Sequence, residues 1–188
     1  AQADNIRDWC MENNLPLRGH TVFWANHLKV PEWARNLDDE LLLEEMREHV
    51  VDIVGRYPEM QEFDLNNEMI LNNYFRGRFG PSIIDSMFSW SLEQKPDAEL
   101  YLNEYGIIND VLLDMYVTQI QSLLDQGIPV GGIGIQGHVF TAEEPTDLGT
   151  FAGDTVFSPD YLWNIIDTLA QFGIPIKINE NVSSFCSR

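Results

Sequence analysis

Strand-like and helix-like segments alternate along nearly the whole chain, and this alternation limits the possible folds more than any other feature. Five short apolar segments have the character of strands, at residues 17–23, 62–66, 99–103, 131–136 and 175–179. Five longer segments have the helical spacing of apolar residues, at 3–14, 38–56, 81–92, 107–126 and 159–172. This order is typical of parallel βα units, and the short strands favour the barrel form. We therefore predict an α/β fold, a partial (β/α)8 TIM barrel of about five βα units, with residues 1–188 as one domain.

Polar residues at the helix ends support these assignments. Asp38 or Asp39 can cap the helix predicted at 38–56, and Ser158 can cap the last helix. Gly127 and Gly173 follow the last apolar positions of two helices, where glycine commonly ends a helix.

The charge of the chain excludes some classes of partner. Asp and Glu number 30 against 11 Lys and Arg, which gives a formal charge of -19. Such a surface repels phosphate backbones and anionic membranes, so we expect neither a nucleic acid nor a membrane as partner. Cys10 and Cys186 are the only cysteines and form no metal-binding pattern, so no metal or other cofactor is expected. The residues leave the oligomeric state open, and no signal-peptide pattern opens the chain.

Polar side chains stand near or just after the end of every predicted strand. In chain order they are His20 and Trp24, then Asn67 and Glu68, then Asn103, Glu104 and Tyr105, then Gln136 and His138, and finally Asn179 and Glu180. The carboxyl ends of parallel barrel strands meet on one face, where active sites lie, so this set predicts a polar cleft. Each residue taken alone has an ordinary alternative, such as helix capping, a structural histidine or aromatic packing.

Two of the carboxyl groups in this set suggest acid–base chemistry. Glu68 and Glu180 would provide two acids on one barrel face, without a cysteine or an evident metal cluster nearby. Glycoside hydrolysis requires such a pair, in which one carboxylic acid protonates the leaving oxygen and the other attacks the anomeric carbon or activates water.

Five motifs carry a resemblance to a known family. LRGHTVFW, EFDLNNEMI, AELYLNEYGI, GGIGIQGHVF and IPIKINENV resemble the successive strand motifs of glycoside hydrolase family 10, the endo-β-1,4-xylanases. The resemblance implies a retaining hydrolase that cleaves internal β-1,4-xylosidic bonds of xylan by double displacement. It also implies an extracellular, secreted protein, because the substrate is a polymer outside the cell.

The resemblance also implies a role for each matching residue. It makes Glu68 the acid/base, Glu180 the nucleophile and Asn67 the partner of the sugar 2-hydroxyl. The other implied substrate-binding residues are His20, Trp24, Tyr105, Gln136 and His138. In a retaining enzyme the two carboxyl groups are about 5–5.5 Å apart.

The chain departs from the family pattern in extent and in detail. It resembles strands three to seven of an eight-stranded barrel, and Ala25 and Asn179 stand where the family usually has histidine and threonine. One alternative is therefore a truncated, non-catalytic carbohydrate-binding remnant or an inactive fragment. Activity on mannan or glucan is a second alternative, and a metal-dependent hydrolase with His20, His138 and Glu180 as ligands is a third.

Overall fold

The computed structural model describes residues 2–109, 111–138 and 158–179, and the rest of the chain lies outside this description. Five parallel strands form one sheet in the order β1-β2-β3-β4-β5. They are β1 (Arg18–Trp24), β2 (Glu62–Asn67), β3 (Glu99–Glu104), β4 (Gly132–Gln136) and β5 (Ile176–Asn179). All five predicted strands are confirmed, with their ends displaced by one residue at most.

Helices lie between the strands as predicted, together with two short ones that the pattern did not indicate. They are α1 (Gln2–Glu12), α2 (Glu32–Arg35), α3 (Asp39–Val54), α4 (Tyr74–Phe79), α5 (Ile83–Gln94), α6 (Leu113–Asp125) and α7 (Pro159–Ala170). The unpredicted helices, α2 and α4, have 4 and 6 residues, which is too short for a helical repeat to show in a sequence.

The predicted start of the fourth long helix at residue 107 is wrong. Gly106 has a φ of 68°, and its carbonyl accepts hydrogen bonds from the amides of Val111 and Leu112. Residues 107–109 form a turn, although Ile107 is fully buried. Its apolar residues therefore fill the core from a loop, and α6 begins at Leu113.

Two helix caps are confirmed. Asp38 accepts a hydrogen bond from the amide of Leu41 at 2.9 Å, and Ser158 accepts one from the amide of Tyr161 at 3.2 Å. Each cap satisfies one of the amides that the first turn of a helix leaves without a partner, so these residues set where α3 and α7 begin.

The two faces of the sheet differ in chemistry. One face packs under the helices in an apolar core, and its fully buried strand residues are Phe63, Leu65, Leu100, Leu102, Ile133 and Ile135. The opposite face, which we call the polar face, carries the hydrogen-bonded side chains of Arg18, His20, Asp64, Asn67, Tyr101, Asn103, Gln136 and Asn179. Side chains alternate between the two faces of a strand. The register shift between Asp64 and Asn66 interrupts this alternation, so Asp64 and Asn67 lie on the same face.

The polar face is concave, because side chains on non-neighbouring strands meet across it. Lys177 of β5 forms an ion pair with Glu62 of β2, and Asn179 bonds to Asp64, although β3 and β4 lie between these strands. This curvature is what a partial barrel requires. Within the described residues, β1 and β5 each pair with one other strand.

A glycine in β4 makes room for an aromatic ring on the polar face. A Cβ atom on Gly132 would lie 2.1 Å from Cε1 of Tyr101, so no larger residue fits unless the ring moves. The ring in turn supports the guanidinium of Arg18, whose central carbon is 3.8 Å from the ring centroid.

No helix among the described residues is long and apolar enough to cross a membrane.

Candidate active site

The end of β2 carries the predicted acid in an uncommon backbone conformation. Glu68 has a φ of 56°, in the left-handed region that residues with a Cβ atom rarely adopt. Its amide donates to the carbonyl of Asn103 at 2.9 Å, so the turn stays tied to the end of β3. Such a conformation costs on the order of 1 kcal/mol and is concentrated at functional sites.

Two side chains hold the carboxyl group of Glu68. Trp24 of β1 donates its indole N–H to Oε2 at 2.7 Å, and Gln136 of β4 donates its amide to Oε1 at 3.2 Å. Each oxygen of the carboxyl group thus accepts a hydrogen bond from a residue on a different strand. Three of the predicted site residues therefore meet at one point, as the prediction of a common cleft requires.

Asn67 directs an amide group at the same place. Its Oδ1 accepts hydrogen bonds from Asn103 at 2.8 Å and from Gln136 at 3.2 Å, which fixes the orientation of the amide. Its Nδ2 is buried and has no hydrogen-bond partner among the described residues. A buried donor left without a partner costs about 1–3 kcal/mol, and a ligand oxygen placed there would remove that cost.

A buried carboxylate deeper on the polar face organises a second cluster. Asp64 is 1% exposed, and Oδ1 accepts a hydrogen bond from Nε of Arg18 at 3.1 Å. Its Oδ2 lies 3.0 Å from Nδ1 of His20 and 3.2 Å from Nδ2 of Asn179. Asp64 therefore orients the imidazole of His20, which is exposed, and links the strand that precedes Glu180 to β2.

The structure describes two of the three remaining predicted site residues. Tyr105 follows β3 directly, and His138 follows β4 by two residues; both are partly buried. Glu180 lies outside the described residues, directly after Asn179. The predicted separation of the two carboxyl groups consequently stays a prediction.

Reasoning from the sequence counted Glu104 among the polar strand ends, but it assigned no individual role to Glu104, Arg18 or Asp64, which the structure places at the site. Arg18, Asp64 and Glu104 are charged residues of strands, and Asp64 and Glu104 are each 1% exposed. A charge in a buried strand was the available signal, because it must find a partner on the concave face.

The described residues hold no group of three or more His, Cys, Asp or Glu side chains that could bind a metal. Of the three residues in the metal-dependent alternative, His20 has its Nδ1 3.0 Å from Oδ2 of Asp64, and Glu180 lies outside the described residues.

Comparison with protein families decides the class to which the chain belongs. The family model described as glycosyl hydrolase family 10 matches residues 1–180. The chain belongs to this family.

Relatives of known name extend the comparison. The chain is 30% identical to endo-1,4-beta-xylanase 1 of Arabidopsis thaliana, with 97% of the chain and 18% of that protein covered. It is 30% identical to a beta-1,4-xylanase of Dictyoglomus thermophilum, with 95% and 49% covered. It is also 32% identical to an anti-sigma-I factor of Acetivibrio thermocellus, with 95% and 22% covered.

Solved structures show the same fold. A family 10 xylanase of Thermobacillus composti has a TM-score of 0.73 and 29% identity, covering 99% of this chain and 55% of that one. A mutant of the intracellular xylanase of Thermoanaerobacterium saccharolyticum, in complex with xylotetraose, has a TM-score of 0.77 and 25% identity, covering 94% and 56%. The five-stranded arc is thus a partial TIM barrel, and the chain spans about half the length of these solved structures.

Proposed function

We propose that this chain carries the central part of the active site of a retaining endo-β-1,4-xylanase. The observation that supports this most directly is the position of the Glu68 carboxyl group, which lies just after β2 and is held by hydrogen bonds from Trp24 and Gln136. Family membership supplies the reaction class, and a solved relative is described as a complex with xylotetraose. Internal β-1,4-xylosidic bonds are therefore the proposed target.

In the first step of the proposed mechanism, Glu68 donates its proton to the glycosidic oxygen as the bond from this oxygen to the anomeric carbon breaks. Glu180 attacks the anomeric carbon and forms a glycosyl ester. The leaving saccharide departs with the proton of Glu68. In the second step, Glu68 removes a proton from water, the resulting oxygen displaces Glu180, and the configuration at the anomeric carbon is retained.

The hydrogen-bond donors around Glu68 suit this role. Trp24 and Gln136 keep the carboxyl group in one place, which a proton transfer over hydrogen-bond distance requires. The Nδ2 of Asn67 is the proposed donor to the sugar 2-hydroxyl, and it is oriented in advance by Asn103 and Gln136. A bond that strengthens as charge develops on the sugar lowers the barrier more than it favours substrate binding.

Substrates that differ in their leaving group test the assignment of the acid. Glu68→Gln should lower turnover of xylo-oligosaccharides by about 10²–10⁴-fold, because no proton reaches the leaving oxygen. It should lower formation of the glycosyl-enzyme from dinitrophenyl β-xylobioside far less, because dinitrophenolate leaves without protonation. Glu180→Ala should abolish both reactions, and Glu99→Gln, at an exposed position of β3, serves as the control. Equal losses on both substrates in Glu68→Gln would contradict the assignment of the acid.

A screen on xylan, mannan and carboxymethyl-cellulose tests the substrate. Faster hydrolysis of mannan or cellulose than of xylan would replace the proposed specificity with that of another β-glycanase.

A second function, carbohydrate binding without turnover, is favoured by one specific relative. The anti-sigma-I factor that matches 95% of the chain has the name of a regulator rather than of an enzyme. Titration calorimetry with xylotetraose separates the two functions. Heat of binding together with absent turnover, in the unmutated chain, would favour the binding protein.

Secretion is proposed because the target is a polymer. Family membership does not decide the location, since one solved relative is described as an intracellular xylanase. Fractionation of the source organism, followed by immunodetection of the chain, tests the proposal.

A further inference from the structure

A second acidic residue lies behind the proposed acid and is not explained by contact with substrate. Glu104, the last residue of β3, is 1% exposed. No Lys or Arg nitrogen among the described residues lies within 4.0 Å of its carboxyl group. Burying an acid without an ion pair is costly, so the contacts that it makes need a reason.

Those contacts hold the turn that begins with Glu68. Oε2 of Glu104 accepts a hydrogen bond from the amide of Ile70 at 3.0 Å, and Oε1 accepts one from the amide of Tyr105 at 3.1 Å. Ile70 is two residues beyond Glu68, whose own amide bonds to Asn103. The two last residues of β3 therefore fasten the turn at two successive points.

The fastening matters because Glu68 is in the left-handed conformation. A conformation of this kind persists only where neighbouring contacts determine it more strongly than local preference opposes it. Release of the Ile70 amide would let Glu68 relax and would move its carboxyl group away from Trp24 and Gln136.

The surroundings of Glu104 oppose its ionisation on balance. Burial, the largest effect, together with the charge of Glu68, raises the pKa of Glu104 to about 8, while the two amides and Arg76 of α4 act in the opposite direction. Tyr116 of α6 also faces this group, and burial raises the pKa of its phenol. Glu104 therefore keeps its proton to a higher pH than an ordinary glutamate does.

We propose that Glu104 is a positioning residue, which holds the Glu68–Ile70 turn through the amide of Ile70 and thereby fixes the carboxyl group of Glu68. This inference rests on the proposed role of Glu68 for its catalytic meaning. The structural part stands on the hydrogen bonds alone and can be measured without turnover.

The indole N–H of Trp24 reports the position of the Glu68 carboxyl group, because the two are bonded at 2.7 Å. Glu104→Gln removes the carboxyl group at the last residue of β3, and the matched control Glu99→Gln removes the one at its first residue. In Glu104→Gln we expect amide exchange of Ile70 to rise at least tenfold and the Trp24 indole resonance to shift. Unchanged Ile70 exchange and an unchanged indole resonance overturn the proposal.

A titration of the unmutated chain keeps the proposal testable if Glu104→Gln does not fold. Between pH 6 and 10, the resonances of the Ile70 amide and the Trp24 indole should move with one shared midpoint. An indole resonance that stays constant while the Ile70 amide titrates overturns the proposal, because ionisation of Glu104 then does not reach Glu68.

Kinetics supply a separate outcome. Glu104→Gln should lower kcat on xylo-oligosaccharides by about 10–100-fold and leave KM nearly unchanged, because the acid is displaced while the groups that bind the sugar stay. A raised KM with an unchanged kcat overturns the positioning role. If the unmutated chain has no turnover on any substrate, the proposed function fails, and the resonance measurements still decide the inference about Glu104.

Discussion

The side-chain amide of Asn179 donates a hydrogen bond of 3.2 Å to the carboxylate of Asp64, across 115 positions of sequence and past two intervening strands. This bond joins the strand that leads to Glu180 with the strand that delivers Glu68. It therefore helps to set the distance between the two ends on which the proposed mechanism depends.

Replacement of Asn179 by Asp tests this bond. Asn179→Asp places two carboxyl groups about 3 Å apart, so we expect a loss of about 1–3 kcal/mol in the free energy of unfolding at pH 7. The loss should shrink as the pH falls, because the two carboxyl groups can then share one proton. Urea denaturation at pH 7 and at a lower pH measures it, with Asn179→Thr, the residue usual in the family, as the control. Equal stabilities of the Asp and Thr variants at pH 7 would refute the prediction.

Burial of Glu104 predicts a dependence of stability on pH. Its pKa is about 8 in the folded chain and about 4.3 in an unfolded one, so between these values the folded state binds more protons. The free energy of unfolding should therefore fall as the pH rises from 5 to 9, by roughly 4 kcal/mol. The slope should be absent in Glu104→Gln and preserved in Glu99→Gln, as followed by denaturant titration. A slope that survives in Glu104→Gln would assign the effect to another group.

The close approach of Gly132 and Tyr101 predicts an unusually sensitive glycine. Gly132→Ala should lower the free energy of unfolding by about 1–3 kcal/mol or more, because the added methyl group overlaps the ring. Gly77→Ala is the matched control, since its Cβ would meet no atom closer than 3.8 Å within a helix. That control should gain about 0.4–1 kcal/mol. Thermal denaturation that ranks both variants alike would contradict the prediction.

The backbone conformation of Glu68 predicts that glycine destabilises the fold less than alanine at this position. Glu68→Gly and Glu68→Ala both remove the carboxyl group and its bonds, but only alanine keeps the strain of a Cβ atom at a φ of 56°. The glycine variant should therefore be more stable by about 1 kcal/mol. Chemical denaturation of the pair measures this difference, and an alanine variant of equal or greater stability would show that the turn relaxes without cost.

The bond from Trp24 predicts an effect on turnover. Trp24→Phe keeps an aromatic ring and removes the N–H that Glu68 accepts. On the proposed function, we expect kcat on xylo-oligosaccharides to fall about tenfold, because the carboxyl group of Glu68 loses one of the two hydrogen bonds that hold it in place. Trp33→Phe, at an exposed tryptophan, is the control. Equal effects of the two substitutions on kcat would exclude the bond as the cause.

The elements of the fold were predictable because local patterns carry them. Alternation of apolar segments located all five strands, and Asp38 and Ser158 marked two helix starts. The turn after Gly106 was not predictable, because Ile107 is a fully buried member of the apolar core although it lies outside a helix.

The candidate site was predictable in membership but not in geometry. Asn67, Glu68, Trp24 and Gln136 were recognised at strand ends, and the structure brings them together. The left-handed backbone of Glu68 has no signature in the sequence, since a glutamate does not favour it. The buried partners Asp64 and Glu104 depend on contacts across the sheet, which only the folded chain creates.

The margins of the sheet have a consequence for handling this protein. In the described part of the chain, β1 and β5 have a hydrogen-bonded neighbour on one side only, so their outer rims present backbone groups that can template a further strand. Aggregation should therefore rise steeply with protein concentration, and a peptide of strand length that docks at a rim should suppress it. The same strands that shape the cleft thus also control the self-association of the protein.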